Sequence, residues 1–171
     1  MTATARTRKE LMRSRRGRAH GCWDHLFAAV LWPQHGANLG TLLRTCDAVG
    51  ACLVVPRRPW VEEAVARGNT LRHHSCVHRL RGDPVGWLAA QRVVGSRVVG
   101  VELAEPAVRL ADLPPARERT VMVLGHESTG IPQEGLDLLD VAVEIPMLGT
   151  GHSLNVAVAG SLVLYRLAGL V

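Results

Sequence analysis

From Leu26 onward the chain alternates short Val- and Leu-rich runs with amphipathic stretches of helical length, and that alternation leaves few folds open. The strand candidates are Phe27–Trp32, Cys52–Pro56, Cys76–Leu80, Ser96–Val101, Thr120–Leu124 and Val141–Ile145, each bounded by Gly, Pro or charge. Between them Ala37–Val49, Val61–Arg67, Pro84–Arg92, Pro132–Leu139 and Ser153–Ala168 read as helices. Runs that are apolar at successive positions have no solvent face, and strands joined through helices pair in parallel. The fold class is therefore α/β, a mostly parallel six-stranded sheet with helices on both faces. Pro106–Arg119 is the longest polar loop, and neither an internal repeat nor an interdomain linker is visible.

Its 171 residues suit one domain, placed at residues 21–171 behind a basic arm at residues 1–20 that is expected to be flexible. With 47% hydrophobic and 20% charged residues, the composition is not that of a disordered chain. No stretch approaches the about 18 uninterrupted apolar residues of a membrane span, and the charged N-terminus leads into no apolar run. A cytoplasmic protein without membrane contact is expected. The cysteines Cys22, Cys46, Cys52 and Cys76 form no CxxC pair and read as reduced, mostly buried thiols. Aromatic residues, at 4%, are too few for a sheet that stacks single-stranded bases.

The net charge of +5 is unevenly spread. Residues 1–20 carry seven cations against Glu10, a net of +6, which leaves −1 for the remainder of the chain. The basic character belongs to the arm, which can neutralise nucleic-acid phosphates without reading sequence.

Three segments carry chemistry. A phosphate loop needs GxxxxGK[ST] and a dinucleotide fold GxGxxG after its first strand; both are missing, which disfavours a nucleotide-dependent oxidoreductase. In the first segment, His35–Cys46, Asn38 sits where a helix would begin and suits its cap. Arg44 follows six residues on, about 600° of helical rotation, so the two share only a broad face. An arginine there can meet phosphate; on residues alone, a surface ion-pair arginine and a cap asparagine is the simpler reading. In the second, Val121–Pro132, an apolar strand runs into a Gly/Ser/Thr turn carrying Glu127. In the third, Glu144–Val156, a strand and a loop with Gly149 and Gly151 lead into a long apolar helix, with Ser153 as expected cap and Asn155 facing a pocket.

Together these segments resemble the SPOUT superfamily, specifically its SpoU-type, TrmH-like RNA ribose 2′-O-methyltransferases. The likeness lies in NxGxxxRTCxAxG at 38–50, LGxExxGI at 124–131 and IPMxGxxxSLNVxVAxxxxLY at 145–165, and extends over about residues 25–169. It implies a deep trefoil knot in the C-terminal part of the sheet, with S-adenosyl-L-methionine bound bent in the knotted loops. The matching cofactor positions are Leu103, Gly125, Ile145, Met147, Ser153 and Leu154, where backbone groups do the binding. The resemblance makes Arg44 the catalytic arginine, with Asn38, Glu127, Ser153 and Asn155 around it.

A ribose 2′-hydroxyl is a poor nucleophile, and an arginine that stays protonated suits positioning and charge stabilisation better than base catalysis. The expected activity is S-adenosylmethionine-dependent methylation of a ribose 2′-hydroxyl, in tRNA by preference, with rRNA or a catalytically silent RNA-binding scaffold as alternatives. The histidine-rich stretch His73, His74, Cys76 and His78 departs from the family pattern; lacking a visible fourth ligand, it is not assigned a metal. The last helix is apolar over most of its circumference, so a homodimer through that helix is expected, with Leu164 in the contact.

Overall fold

The computed structural model describes residues 26–71, 76–151 and 153–171. The basic arm, Cys22 and the pair His73 and His74 lie outside the described residues. Among the described residues seven strands form one sheet: β1 (Leu26–Val30), β2 (Cys52–Pro56), β3 (Val77–Leu80), β4 (Arg97–Val101), β5 (Val108–Arg109), β6 (Thr120–Leu124) and β7 (Val141–Glu144). Their spatial order is β3-β2-β1-β6-β4-β7-β5, and every neighbouring pair runs parallel. The helices are α1 (Gly36–Val49), α2 (Pro59–Gly68), α3 (Pro84–Val93), α4 (Gln133–Leu136) and α5 (Val156–Leu167).

All residues of β1, β2 and β6 are buried, because the sheet is covered on both faces. Leu26, Ala28 and Val30 of β1 pack with Leu39, Leu42 and Leu43 of α1 and Val163 and Leu164 of α5. Phe27 and Ala29 point the other way, toward Leu88 of α3 and Ile131. Helices α1 and α2 meet closely, since a Cβ added at Gly40 would lie 2.7 Å from the Gly68 Cα. Glycine at both positions is what lets the backbones touch.

Several expectations are corrected. The seventh strand, β5, lies inside the expected loop Pro106–Arg119; two residues are too few to show a periodicity, and pairing with β7 makes them a strand. Helix α1 begins at Gly36 after His35, so Asn38 is inside the helix and its side chain is free for another partner. Helix α5 begins at Val156, three residues later than expected. Its cap is Asn155, whose side chain accepts from the amides of Ala157 and Val158, and Ser153 takes no part. The expected helix Pro132–Leu139 shrinks to the four residues of α4. Leu164 is fully buried against the sheet; the outward stripe of this region is Leu154, Val158, Leu162 and Tyr165, spaced three to four residues apart.

Candidate active site

Parallel strands bring all their carboxyl ends to one edge of the sheet. Val30 lies beside Leu124, Leu124 beside Val101, and Val101 beside Val143. The loops that follow β1, β6, β4 and β7 therefore leave the sheet side by side at one level, where α/β sheets hold ligands.

Glu127, in the turn after β6, is the organising group. Its Oε2 accepts from the Gln34 amide at 2.8 Å, and its Oε1 accepts from the His35 amide and from Asn38 Nδ2, both at 3.0 Å. Asn38, buried on α1, accepts in turn from Asn155 Nδ2 at 3.0 Å, while Asn155 Oδ1 caps α5. One polar chain thus ties the loop after β1, helix α1, the turn after β6 and the start of α5 together. Expected as a cap, Asn38 instead links Glu127 to Asn155, and Asn155 is the cap of α5.

Burial raises the pKa of the Glu127 carboxyl, but the bonds from Asn38, His35 and Gln34 outweigh it and hold the group below the ordinary carboxylate value. Ionised Glu127 therefore stabilises the fold above that ordinary value, and this stabilisation is lost as pH falls through the lower folded value. Glutamine in its place has one acceptor oxygen for donors that now use two. Glu127→Gln is expected to lower the denaturant midpoint at neutral pH, and the gap from wild type should narrow as the wild-type carboxyl protonates. Denaturant titrations through the acid range measure this, and a gap that stays constant contradicts it.

Arg44 is exposed on α1, and its side chain makes no hydrogen bond or ion pair among the described residues. Its guanidinium is thus available to a ligand. Ser153 is likewise exposed, without a partner among the described residues. The Asn38, Glu127 and Asn155 side chains are brought into contact; Arg44 and Ser153 stand outside that bonded chain.

The positions expected to hold the cofactor lie on adjacent loops. Leu103 follows β4 and is 79% exposed; Met147 and Leu154 are 40% and 41% exposed, and Leu148 beside them is fully open. Gly125 is buried at the end of β6, and Ile145 packs half-buried against the core. Among the described residues of 146–154, no main-chain group makes a hydrogen bond within the chain. Open apolar side chains beside unpaired amides and carbonyls suit a flat heterocycle recognised by main-chain groups.

Two features escaped the sequence reading. Glu102 accepts from the Ile131 amide at 2.8 Å and the Leu103 amide at 3.1 Å, so one carboxylate fixes the loops after β4 and β6 together. An acid placed directly after an apolar strand was the available signal. Arg57, Arg79 and Arg81 line a shallow basic depression with Glu62, where Arg79 Nε pairs with Glu62 at 2.7 Å. Arg57 and Arg81 follow β2 and β3, on the same carboxyl edge as Glu127.

The SpoU rRNA Methylase family model matches residues 26–165, a span that includes every one of these loops. The chain belongs to the SpoU rRNA methylase family. Among SpoU relatives, it is 36% identical over 133 residues to the tRNA (guanosine(18)-2′-O)-methyltransferase of Escherichia coli K12, a match covering 75% of this chain and 56% of that protein. The chain thus spans about half the length of that curated relative. The AdoMet-bound rRNA methyltransferase of Sinorhizobium meliloti superposes with a TM-score of 0.71 at 26% identity, covering 84% of this chain and 55% of that one. A structure solved for insights into the 2-OH methylation of C/U34 on tRNA superposes with a TM-score of 0.68 at 28% identity, covering 85% of this chain and 96% of that one.

Proposed function

We propose that this chain methylates a ribose 2′-hydroxyl of RNA, tRNA by preference, using S-adenosyl-L-methionine. The observation that carries the reading is the bonded chain Glu127–Asn38–Asn155 at the carboxyl edge of a sheet whose adjoining loops expose apolar side chains and unpaired main-chain groups, with the unpartnered Arg44 exposed on the same helix as Asn38. When bound, the cofactor supplies its methyl group from a sulfonium. Gly125, Ile145, Met147, Leu103, Ser153 and Leu154 hold the adenosyl portion. Glu127, Asn38 and Asn155 fix the relative positions of the loops, and Arg44 steers the RNA phosphate and stabilises charge developing on the ribose oxygen. The preference for tRNA rests on the relatives that act on it; the S. meliloti neighbour supports the rRNA alternative. Mass spectrometry of ribose-methylated nucleosides in tRNA and rRNA from a deletion strain tests the proposal: one site loses its methyl group, and an unchanged inventory in both rejects it.

The proposal includes the trefoil knot and a cytoplasmic location. Supporting the knot, Arg166 of α5 donates to the carbonyls of Ala111 and Leu113 and Ala116 donates to that of Leu167, which lashes the segment after β5 across the end of α5. For location, the described residues contain no helix long and apolar enough to cross a membrane.

RNA reaches the site, in this reading, with help from the basic arm and from Arg57 and Arg81. Removing residues 1–20 is expected to weaken RNA binding and flatten its salt dependence, by up to about 0.9 in logarithmic slope for each of the arm's cations that contacts phosphate. Binding isotherms across a salt series check this, and an unchanged slope leaves the arm without a role.

The proposed assembly is a homodimer through the stripe Leu154, Val158, Leu162 and Tyr165, which is 36–48% exposed in the single chain. Leu162→Glu puts an unpaired carboxylate into that contact, at a cost of several kcal/mol. Light scattering is expected to show a dimer for the wild type and a monomer for the variant. A monomeric wild type rejects the dimer, and a dimeric variant moves it to another face.

A further inference from the structure

On the flank of the sheet away from the candidate active site, three soft donors converge. Cys52 opens β2 and is fully buried, Cys76 directly precedes β3, and His78 lies within β3. Val54 pairs with His78, and the Leu53 amide donates to the Cys76 carbonyl at 2.9 Å, so Cys52 stands beside Cys76. Side chains alternate along a strand, which puts Cys52, Cys76 and His78 on one face. Their three donor atoms lie within 4.8 Å of one another, with Cys76 Sγ 3.3 Å from His78 Nε2. The Phe27 ring packs edge-to-face with the imidazole of His78, ring centres 5.6 Å apart and planes inclined by 65°.

We propose that Cys52, Cys76 and His78 bind a thiophilic divalent cation of the zinc class through two thiolates and one imidazole nitrogen. Metal–sulfur and metal–nitrogen bonds of about 2.3 and 2.0 Å place tetrahedral donors roughly 3.5–3.8 Å apart, so the three atoms need only small side-chain adjustments. Two thiolates with an imidazole favour zinc over magnesium or calcium, which prefer oxygen. Binding releases the two thiol protons to solvent, so affinity falls as the pH is lowered. Three protein donors leave one position of the tetrahedron for water or a fourth ligand. Strand β3 is the edge of the sheet and pairs with β2 alone among the described strands. A metal bridging Cys52 to Cys76 and His78 staples that edge and the segment entering it. Cys46, on α1, is not one of the three converging donors.

The test is cobalt titration of the full chain, stripped with chelator and kept under a phosphine reductant. Thiolate-bound cobalt gives a strong near-ultraviolet charge-transfer band, which is expected to saturate at one metal per chain and to disappear when zinc displaces the cobalt. Zinc is also expected to raise the melting temperature. Cys76→Ser and His78→Gln, both at half-exposed positions, are expected to lose the band, while Cys46→Ala keeps it. Absence of the band in the wild type overturns the proposal, as does its survival in both Cys76→Ser and His78→Gln. A band lost only when His73 and His74 are replaced by Gln overturns it in favour of the histidine-rich segment.

Discussion

Arg44→Ala is expected to lower methyl transfer by about 10²–10³-fold or more while leaving the affinity for S-adenosylhomocysteine within a few-fold. The magnitude is that of removing one preorganised charge-stabilising group from a reaction centre. The selectivity follows from where Arg44 lies. It is exposed on α1 and unpartnered among the described residues, whereas the groups assigned to the cofactor are on the loops after β4, β6 and β7. For the same reason the fold should tolerate the change, since exposed side chains away from caps and networks alter stability by about 0.5 kcal/mol or less. Arg44→Lys separates charge from geometry: lysine keeps the charge but not the planar fork that grips a phosphate or oxyanion at two points, so partial activity is expected. Transfer of labelled methyl to tRNA and calorimetry with S-adenosylhomocysteine read the two quantities independently. Equal loss of both would place Arg44 at the cofactor and sink the assignment.

Burial on both faces made much of the fold legible. β2 and β6 fall at the expected boundaries, because an unbroken apolar run between breakers has few other uses in an α/β chain. β5 was not legible, since its identity comes wholly from pairing with β7. The start of α5 was misplaced because Ser153 and Asn155 are both good caps by type, and local sequence does not choose between them. The tertiary bond from Asn155 to Asn38 marks the residue fixed in place. Leu164 shows the limit of a helix that is apolar nearly all round, where periodicity cannot say which stripe faces the sheet. At the site, Asn38, Glu127 and Asn155 were chosen from their motifs, but the order in which they bond was not. The basic depression of Arg57, Arg79 and Arg81 was hidden by a charge balance of −1 outside the arm, because acids elsewhere cancel it in any sum. Cys52 and Cys76, far apart in the chain, are gathered only by the parallel pairing of β2 with β3.

Gly125→Ala is expected to weaken S-adenosylhomocysteine binding at least tenfold and to destabilise the fold. Gly125 is the first residue beyond β6, and the turn after it folds back at once. The His126 amide donates to the Gly130 carbonyl at 2.9 Å, the Gly130 amide returns a bond at 2.8 Å, and Gly130 takes a φ of +71° to close the loop. A Cβ at Gly125 would lie 2.7 Å from the Gly130 carbonyl oxygen and closer still to the Gly130 carbonyl carbon and the Ile131 nitrogen. All three are backbone atoms, so no rotamer change makes room and the turn itself must shift. Overpacking of this kind costs about 1–3 kcal/mol, occasionally more. The shift is also transmitted, because the turn carries Glu127, bonded to Gln34, His35 and Asn38, and ends at Ile131, whose amide is held by Glu102. Displacing it moves the loop after β1 and the Leu103 loop together, and with them the walls assigned to the adenosyl group. Gly149→Ala is the control for the fold, because a Cβ there meets nothing within 4 Å; it should unfold as wild type does. Calorimetry and thermal unfolding decide the matter: if Gly125→Ala binds like wild type and melts like Gly149→Ala, the turn is not a rigid wall of the site.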